Sequence, residues 1–259
     1  MRDVVLFIHS TGTAPQMWSR LIQEAALPVS VLTPSNLGYP PNAPLPTGTD
    51  FHWSQDVAHL HTQIPAAAER VHLVAHSYGG LLAYKLALAL GPRLGSLWLY
   101  EPVMFGSLYL ERATVDADTA AELDWFFTHP WFIRDPARGG SDAWQEIFID
   151  YWNRPGAWRA MPEPMRAAML AVGWKMYQEV CATSGDATPF ATYRLDAPIT
   201  LAVGSKSPAS PKAMAQALAR VSPQTRIDVI DGLGHMGPLL KPGLLLASFK
   251  RHFDAVLGG

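Results

Sequence analysis

The chain has 259 residues, of which 49% are hydrophobic and only 16% are charged, and its net charge is −2 at pH 7. Because charged residues make up about 25% of a typical soluble protein, much of this chain is expected to lie in one sizeable core. The small net charge gives no electrostatic reason to expect nucleic acid or an anionic membrane as a partner. The single cysteine, Cys181, excludes an internal disulfide. The charge balance favours a small, mostly uncharged molecule as the partner.

Short apolar runs alternate with helix-period segments over residues 1–102, which predicts a parallel sheet with helical crossovers. Strands are predicted at Val4–Ile8, Val29–Thr33, Val71–Val74 and Leu97–Tyr100, and both of the first two are expected to be buried. Helices are predicted at about 15–26, 53–67 and 81–90. A long irregular loop rich in Pro and Gly, residues 34–48, separates the second strand from the second helix.

The first predicted strand begins so close to Met1 that we expect no signal peptide. The longest apolar runs are well short of the roughly 20 residues that a membrane span needs. The expectation is therefore a cytoplasmic protein without a membrane span.

From about Val103 to Arg194 helical patterns continue without a convincing strand. Amphipathic helices are predicted at Asp116–Thr128, Asp142–Trp152 and Pro164–Ala182. Six of the nine tryptophans lie in this segment: Trp125, Trp131, Trp144, Trp152, Trp158 and Trp174. Most of them are expected to pack the segment onto the body of the protein, and a minority to face a pocket.

The sheet is predicted to resume at Pro198–Val203, after the helical segment. A helix follows over Ser210–Val221 with Ser210 as its expected cap, and Arg226–Ile230 is the last predicted strand. A helix over residues 242–257 closes the body. Since parallel strands end at the same edge of a sheet, residues that follow the strands are expected to converge there.

The pentapeptide Ala75-His76-Ser77-Tyr78-Gly79 lies between a predicted strand and a predicted helix. A turn this sharp places the apex residue in strained backbone geometry, and only small residues fit two positions before and after it. Ala75 and Gly79 are small enough. Ser77 is then expected to stand clear of the sheet edge, beside the free amides that open the helix.

This stretch resembles the nucleophile elbow of the α/β-hydrolase superfamily, Gly-x-Ser-x-Gly, with Ala75 in place of the first glycine. The resemblance covers the chain nearly end to end. It implies a three-layer α/β fold with a mostly parallel sheet of about six strands, starting at what is normally the third strand. It also implies a hydrolase core over residues 1–102 and 195–259 and a helical lid over residues 103–194.

The resemblance implies a Ser77 nucleophile and a base in the loop after the last strand, where His235 lies. His76 and His9 are weaker candidates for the base. In most of the family an Asp after the seventh strand completes the triad, but Ser207 stands at that position, and a neutral hydroxyl cannot stabilise an imidazolium. Glu101, directly after a strand at the other position from which the superfamily supplies the acid, is the favoured candidate, and Asp231 is the alternative.

The loop His9-Ser10-Thr11-Gly12-Thr13 matches the family's His-Gly-x-Gly loop, with Ser10 in place of a glycine. The resemblance therefore implies that the backbone amides of Thr11 and Tyr78 form an oxyanion hole. It implies no metal and no organic cofactor. Either a monomer or a homodimer is compatible with the sequence.

Together these features predict a carboxylesterase-like serine hydrolase that forms an acyl-enzyme with a small or medium apolar ester. Two alternatives remain open at this point. One keeps the triad but cleaves a lactone, a thioester or a carbon–carbon bond, or carries out perhydrolysis. The other is a hydroxynitrile-lyase-like or ligand-binding protein of the same fold that forms no acyl-enzyme.

Overall fold

A computed structural model describes residues 2–258, and Met1 and Gly259 lie outside the described residues. Within that range six strands form one all-parallel sheet in the order β2-β1-β3-β4-β5-β6. The strands are β1 (Asp3–Ile8), β2 (Ser30–Leu32), β3 (Arg70–His76), β4 (Leu94–Tyr100), β5 (Ile199–Gly204) and β6 (Thr225–Ile230). The expected α/β fold with about six parallel strands is confirmed.

Helices separate and follow the strands. The α-helices are α1 (Ser19–Ala25), α2 (Trp53–Thr62), α3 (Tyr78–Leu90), α4 (Phe105–Leu110), α5 (Ala117–Thr128), α6 (Asp142–Trp152), α7 (Ala157–Ala160), α8 (Glu163–Ala171), α9 (Gly173–Gly185), α10 (Ala209–Val221), α11 (Gly237–Leu240) and α12 (Leu246–Leu257). Short 3₁₀ turns occupy Pro15–Trp18, Gly91–Arg93, Arg112–Thr114, Pro136–Arg138, Phe190–Tyr193 and Pro242–Leu245.

The sheet is covered on both faces because its central strands carry apolar side chains on both sides. Successive side chains of a strand point to opposite faces, and β1 shows the consequence directly. Val5 and Phe7 join a core with Trp18 and with Phe249 of α12. Val4, Leu6 and Ile8 join a second core with side chains of α2 and α3. The result is a three-layer arrangement with the sheet in the middle.

The second strand differs from its prediction. It is three residues long, pairs only with β1 and is partly exposed. An edge strand is covered less completely than a central one. Because both kinds of strand can be equally apolar, the composition of residues 29–33 did not reveal that β2 lies at the edge of the sheet.

Two predicted helices have different ends. The helix expected to reach residue 67 ends at Thr62, before Ile64-Pro65, because a residue that precedes proline is disfavoured in the helical region. The helix expected over Pro164–Ala182 is two helices that meet at Val172. There Gly173 packs directly on Gly140, whose carbonyl oxygen lies 2.4 Å from the position of an added Cβ.

Ser210 is not the cap of α10, which begins one residue earlier, at Ala209. The free N–H groups of Ala209 and Ser210 instead donate to the Glu122 carboxylate of α5, at 2.8 and 2.9 Å. A carboxylate from a distant helix therefore satisfies this helix end.

The chain between β4 and β5 is helical and contains α4 to α9. This segment packs on the body at several places: α9 contacts α2, α3 and α4, and α5 contacts α10. It lies over the edge at which the parallel strands end, so residues of the segment and residues of the strand ends can meet in one site.

Candidate active site

Ser77 stands at the turn from β3 to α3 in a strained backbone conformation, with φ 55° and ψ −121°. Such a conformation is rare for a residue with a Cβ and is retained where the surroundings enforce it. The turn leaves no space beside it: a Cβ added to Gly79 would lie 2.8 Å from the carbonyl oxygens of both Ile8 and His9. The need for a small residue at this position is therefore confirmed.

Two hydrogen bonds join Ser77, His235 and Glu101 into one chain. The Ser77 hydroxyl oxygen lies 3.0 Å from Nε2 of His235. The other ring nitrogen, Nδ1, lies 2.7 Å from Oε2 of Glu101. All three side chains are buried. The structure thus brings together the three residues that the sequence singled out, although they are far apart in the chain.

The Glu101 carboxylate is held from its other side as well. Its Oε1 accepts from the Gly204 N–H at 2.6 Å and from the Ser207 hydroxyl at 2.5 Å. Ser207, at the position where the family's acid is expected, therefore supports the carboxylate that occupies the neighbouring strand end. The other candidate acid, Asp231, is exposed and accepts from the Ser205 hydroxyl at 3.0 Å.

The His235 ring is enclosed by two aromatic rings. The Trp152 indole is stacked on it, with ring centroids 3.7 Å apart and an interplanar angle of 22°. The His76 ring lies at 4.7 Å. Burial lowers the pKa of His76 well below its usual value, and the charge that His235 can carry lowers it further. His76 is therefore neutral at pH 7 and acts as a packing partner for His235.

His9 has a structural position. Its Nε2 accepts from the Asn36 N–H at 2.9 Å, and its Nδ1 lies 3.0 Å from the Ser10 carbonyl oxygen. Burial lowers the pKa of His9 to about 4. This neutral ring connects the loop after β1 to the loop after β2.

The loop after β1 has a defined shape despite its serine. The Ser10 N–H donates to the Thr13 hydroxyl at 3.1 Å, and that hydroxyl donates to the Ser10 carbonyl at 2.8 Å. Thr11 and Tyr78 line one small cavity of about 20 Å³ together with Ser77. Tyr78 is the first residue of α3, so its N–H has no acceptor within the helix.

A larger apolar cavity of about 330 Å³ also opens on Ser77 and His235. Thr11, Ser77, Phe148 and Trp152 line both cavities, so the two spaces meet at the serine. Methionines are prominent in the walls of the larger one: Met161, Met165 and Met169 come from the helical segment, and Met236 comes from the loop after β6. Flexible methionine side chains suit apolar ligands of variable shape.

Sequence reasoning did not identify which tryptophan faces the site. Trp152 is the last residue of α6 and contacts His235, whereas Trp144 and Trp158 are buried by packing. It also missed the buried Lys175, whose ammonium lies 2.7 Å from Asp56 and 2.8 Å from Glu179. A lysine and a glutamate four residues apart normally lie on an exposed helix face. The spacing of Lys175 and Glu179 in the sequence therefore did not indicate that they are buried.

Residues 2–258 contain neither a candidate metal centre nor a candidate membrane-spanning helix. No cluster of three or more His, Cys, Asp or Glu side chains is arranged there to hold a metal ion. None of the helices that these residues form combines the length and the apolar character needed to cross a membrane.

The sequence model of the Alpha/beta hydrolase family matches residues 5–248 of the chain. No curated protein sequence matches significantly.

Among solved structures, the chain is similar to a hydrolase from Pseudomonas aeruginosa PA01, with 19% identity, a TM-score of 0.68, and coverage of 100% of this chain and 91% of that one. It is similar to an esterase from Thermogutta terrifontis, with 19% identity, a TM-score of 0.65, and coverage of 99% and 90%. It is also similar to the epoxide hydrolase CorEH, with 16% identity, a TM-score of 0.71, and coverage of 98% and 92%. At these identities the likeness concerns the fold, which serves more than one reaction.

Proposed function

The chain belongs to the alpha/beta hydrolase family, and on that premise we propose that it is a serine hydrolase that cleaves carboxylic esters through Ser77, His235 and Glu101. One observation carries the proposal. It is the unbroken chain of hydrogen bonds from Glu101 through His235 to Ser77, at the wall of an apolar cavity. A serine hydroxyl is a weak nucleophile at neutral pH, and an adjacent imidazole is the group that activates it.

In the proposed reaction, His235 Nε2 takes the hydroxyl proton while Ser77 Oγ forms a bond to the ester carbonyl carbon. The resulting imidazolium donates this proton to the departing alcohol oxygen as the carbon–oxygen bond breaks, which leaves an acyl-enzyme. A water molecule then attacks the acyl carbon while His235 takes a proton from it. The imidazolium returns this proton to Ser77 Oγ as the bond between the acyl carbon and Oγ breaks, which releases the carboxylic acid and restores Ser77. Glu101 accepts from Nδ1 throughout, so it holds the ring in the required tautomer and stabilises the imidazolium.

The oxyanion of the tetrahedral intermediate is proposed to accept from the backbone N–H groups of Thr11 and Tyr78. Both residues line the small cavity that adjoins Ser77. Donors that are fixed before the reaction begins lose little free energy to reorganisation, and one such donor is worth about 3 kcal/mol in related chemistry.

The substrate proposed is an ester whose apolar part occupies the methionine-lined cavity. The cavity has about 330 Å³ of space, which suits a small or medium acyl or alkyl group better than a polar headgroup. Because α6 and α8 supply much of its wall, residues 103–194 are proposed to act as a lid over the core formed by residues 1–102 and 195–259.

Hydrolysis of p-nitrophenyl acetate and butyrate by wild type and by Ser77→Ala tests the proposal. We expect the substitution to reduce kcat/KM by at least about 10³-fold, because the nucleophile is removed. Mass spectrometry after treatment with a fluorophosphonate should show one adduct on Ser77 in the wild type. Equal rates for the two proteins, or no adduct on Ser77, would overturn the acyl-enzyme mechanism.

A panel of apolar lactones and thioesters with matched acyl groups tests the type of bond. We expect the esters to give the highest kcat/KM. A higher value for a lactone or a thioester would keep the triad and replace the substrate class.

A further inference from the structure

A buried cluster of three charged side chains is connected by hydrogen bonds to the two segments that carry Thr11 and Tyr78. The Lys175 ammonium on α9 is 2.7 Å from Oδ2 of Asp56 on α2 and 2.8 Å from Oε1 of Glu179. The three side chains are 0% exposed. The ammonium also lies 3.9 Å from the centroid of the Phe51 ring, a favourable cation–π position. Lys175 is therefore held on three sides.

One arm of this cluster reaches α3. The Tyr78 hydroxyl donates to Asp56 Oδ2 at 2.9 Å. Asp56 also accepts from the Leu37 N–H at 2.8 Å, which holds its carboxylate in place. Since the Tyr78 N–H is one of the two proposed oxyanion donors, Asp56 fixes the residue that carries this donor through its side chain.

The other arm reaches the loop after β1. The Tyr39 hydroxyl donates to Glu179 Oε2 at 2.8 Å and accepts from the Gly12 N–H at 2.9 Å. Gly12 has a φ of +68°, a conformation that favours glycine. It directly follows Thr11, which carries the second proposed oxyanion donor. The second arm thus holds the peptide next to that donor.

Folding stability is a poor explanation for these charges. Taking a lysine and two carboxylates out of water is costly, and well-packed apolar side chains often replace buried ion pairs without loss of stability. Burial also raises the pKa of Glu179, an effect that Lys175 opposes. What apolar side chains could not supply is the pair of directional hydrogen bonds to Tyr78 and, through Tyr39, to Gly12.

We propose that the cluster of Asp56, Lys175 and Glu179 is a positioning device that sets the distance between the two oxyanion donors. The inference rests on the proposed function, because it assumes that Thr11 and Tyr78 bind an oxyanion. Lys175 and Glu179 belong to α9, within the helical segment between β4 and β5. The position of this segment on the core therefore controls how well the oxyanion is stabilised.

Tyr39→Phe is the sharpest test, because it removes one hydroxyl and leaves the three charges in place. We expect kcat for p-nitrophenyl butyrate to fall about tenfold or more, with KM changed less than about twofold, since an oxyanion donor acts in the transition state. Inhibition by a trifluoromethyl ketone, whose serine adduct carries an oxyanion, should weaken by a similar factor. Lys175→Met is a second variant for the same assays, and its kcat should fall at least as much as that of Tyr39→Phe.

Tyr84→Phe is the matched control. Tyr84 is also a fully buried tyrosine of the core, and within residues 2–258 its hydroxyl has no hydrogen-bond partner. We expect its kcat to stay within about twofold of the wild type. Melting temperatures of all variants separate loss of stability from loss of kcat.

A Tyr39→Phe variant with the kcat and the ketone affinity of Tyr84→Phe overturns the positioning role, while the Ser77 mechanism stands. A wild type that hydrolyses no ester and forms no Ser77 adduct overturns the proposed function and this inference together. A fall in kcat confined to Tyr39→Phe and Lys175→Met supports the inference.

Discussion

The indole of Trp152 lies against the face of the His235 imidazole, with ring centroids 3.7 Å apart. The proposed mechanism places a positive charge on this imidazole in the transition state. The face of an indole carries a negative partial charge, so it attracts a cation placed over it, by about 1–2 kcal/mol where water is excluded. The contact also restricts the ring to one orientation. Trp152 is thus a positioning residue for the proposed base.

Trp152→Leu should therefore lower kcat for p-nitrophenyl butyrate by about fivefold to thirtyfold, and Trp152→Phe should lower it less. The reason is that leucine keeps apolar cover but lacks an aromatic face, whereas phenylalanine retains one. Steady-state kinetics of both variants provide the measurement. Trp131→Leu is the control, because Trp131 is in the same helical segment but lines neither cavity that adjoins Ser77. Equal losses in Trp152→Leu and Trp131→Leu would contradict the stacking role.

The identity of the acid gives a second prediction. Glu101→Gln keeps the shape of the side chain but no longer stabilises an imidazolium, so kcat should fall by about 10³- to 10⁴-fold, as loss of the acid does in other triads. Asp231→Asn should stay within about twofold of the wild type, because Asp231 is exposed and bonded to Ser205. Esterase assays of the pair decide between the two carboxylates. A larger loss in Asp231→Asn would show that Glu101 is not the acid.

The hydroxyl of Ser207 supports a third prediction. It donates to Glu101 Oε1, opposite the oxygen that meets His235. Ser207→Ala should lower kcat by about tenfold or more, because a hydrogen bond to a charged group contributes about 1.5–3 kcal/mol. Ser205→Ala is a matched control, since the Ser205 hydroxyl bonds to the exposed Asp231. Steady-state kinetics of both variants at a single pH provide the measurement. If Ser207→Ala is as active as Ser205→Ala, the Ser207 hydroxyl does not support the Glu101 carboxylate in catalysis.

Much of the fold was predictable because its central strands are mostly apolar, and because proline or glycine lies at or soon after the ends of several helices between them. The burial of β2 was predicted wrongly, since an edge strand and a central strand have the same local composition. The break at Val172 was missed because it arises from contact between Gly173 and Gly140, which are far apart in sequence.

The part of the candidate site formed by residues that follow strands was predictable, because parallel strands all end at the same edge of the sheet. Ser77, His235 and Glu101 each follow a strand, so topology alone brought them to the same edge. Trp152 and Lys175 come from the helical segment, where no strand register constrains the position of a side chain. The catalytic roles of these residues stay predictions until the variants above are measured.

The methionine-lined cavity leads to a fourth prediction. Transferring a methylene group from water to an apolar site is worth about 0.8 kcal/mol, so kcat/KM should rise from p-nitrophenyl acetate to the hexanoate. Met169→Ala removes part of the wall and should lower kcat/KM for the hexanoate about fivefold to tenfold, with the acetate changed less than about twofold. Leu170→Ala is the control, because this neighbouring apolar residue lies outside the cavity lining. A uniform loss across all esters would place Met169 outside the binding surface.

The buried histidine His252 gives a fifth prediction, on stability against pH. Its Nε2 lies 2.8 Å from the Ser96 hydroxyl oxygen, and its Nδ1 lies 3.0 Å from the Thr200 hydroxyl oxygen. Burial lowers the pKa of His252 to about 3. Between about pH 6.5, the usual value, and pH 3 the unfolded chain therefore binds a proton that the folded chain does not. The free energy of unfolding must then fall on acidification through this window, by about 1.4 kcal/mol per pH unit for this histidine.

His252→Gln should accordingly flatten the pH dependence of the unfolding free energy between pH 5 and 6.5, whatever it does to stability at pH 7. Urea denaturation at several pH values measures the slope. The difference between variant and wild type is the relevant quantity, because the raised pKa of Glu179 contributes a slope of opposite sign to both proteins. His61→Gln, at an exposed position, should leave the slope unchanged. If His252→Gln also leaves it unchanged, His252 takes up a proton in the folded protein, and the buried hydrogen bonds to Ser96 and Thr200 do not keep it neutral.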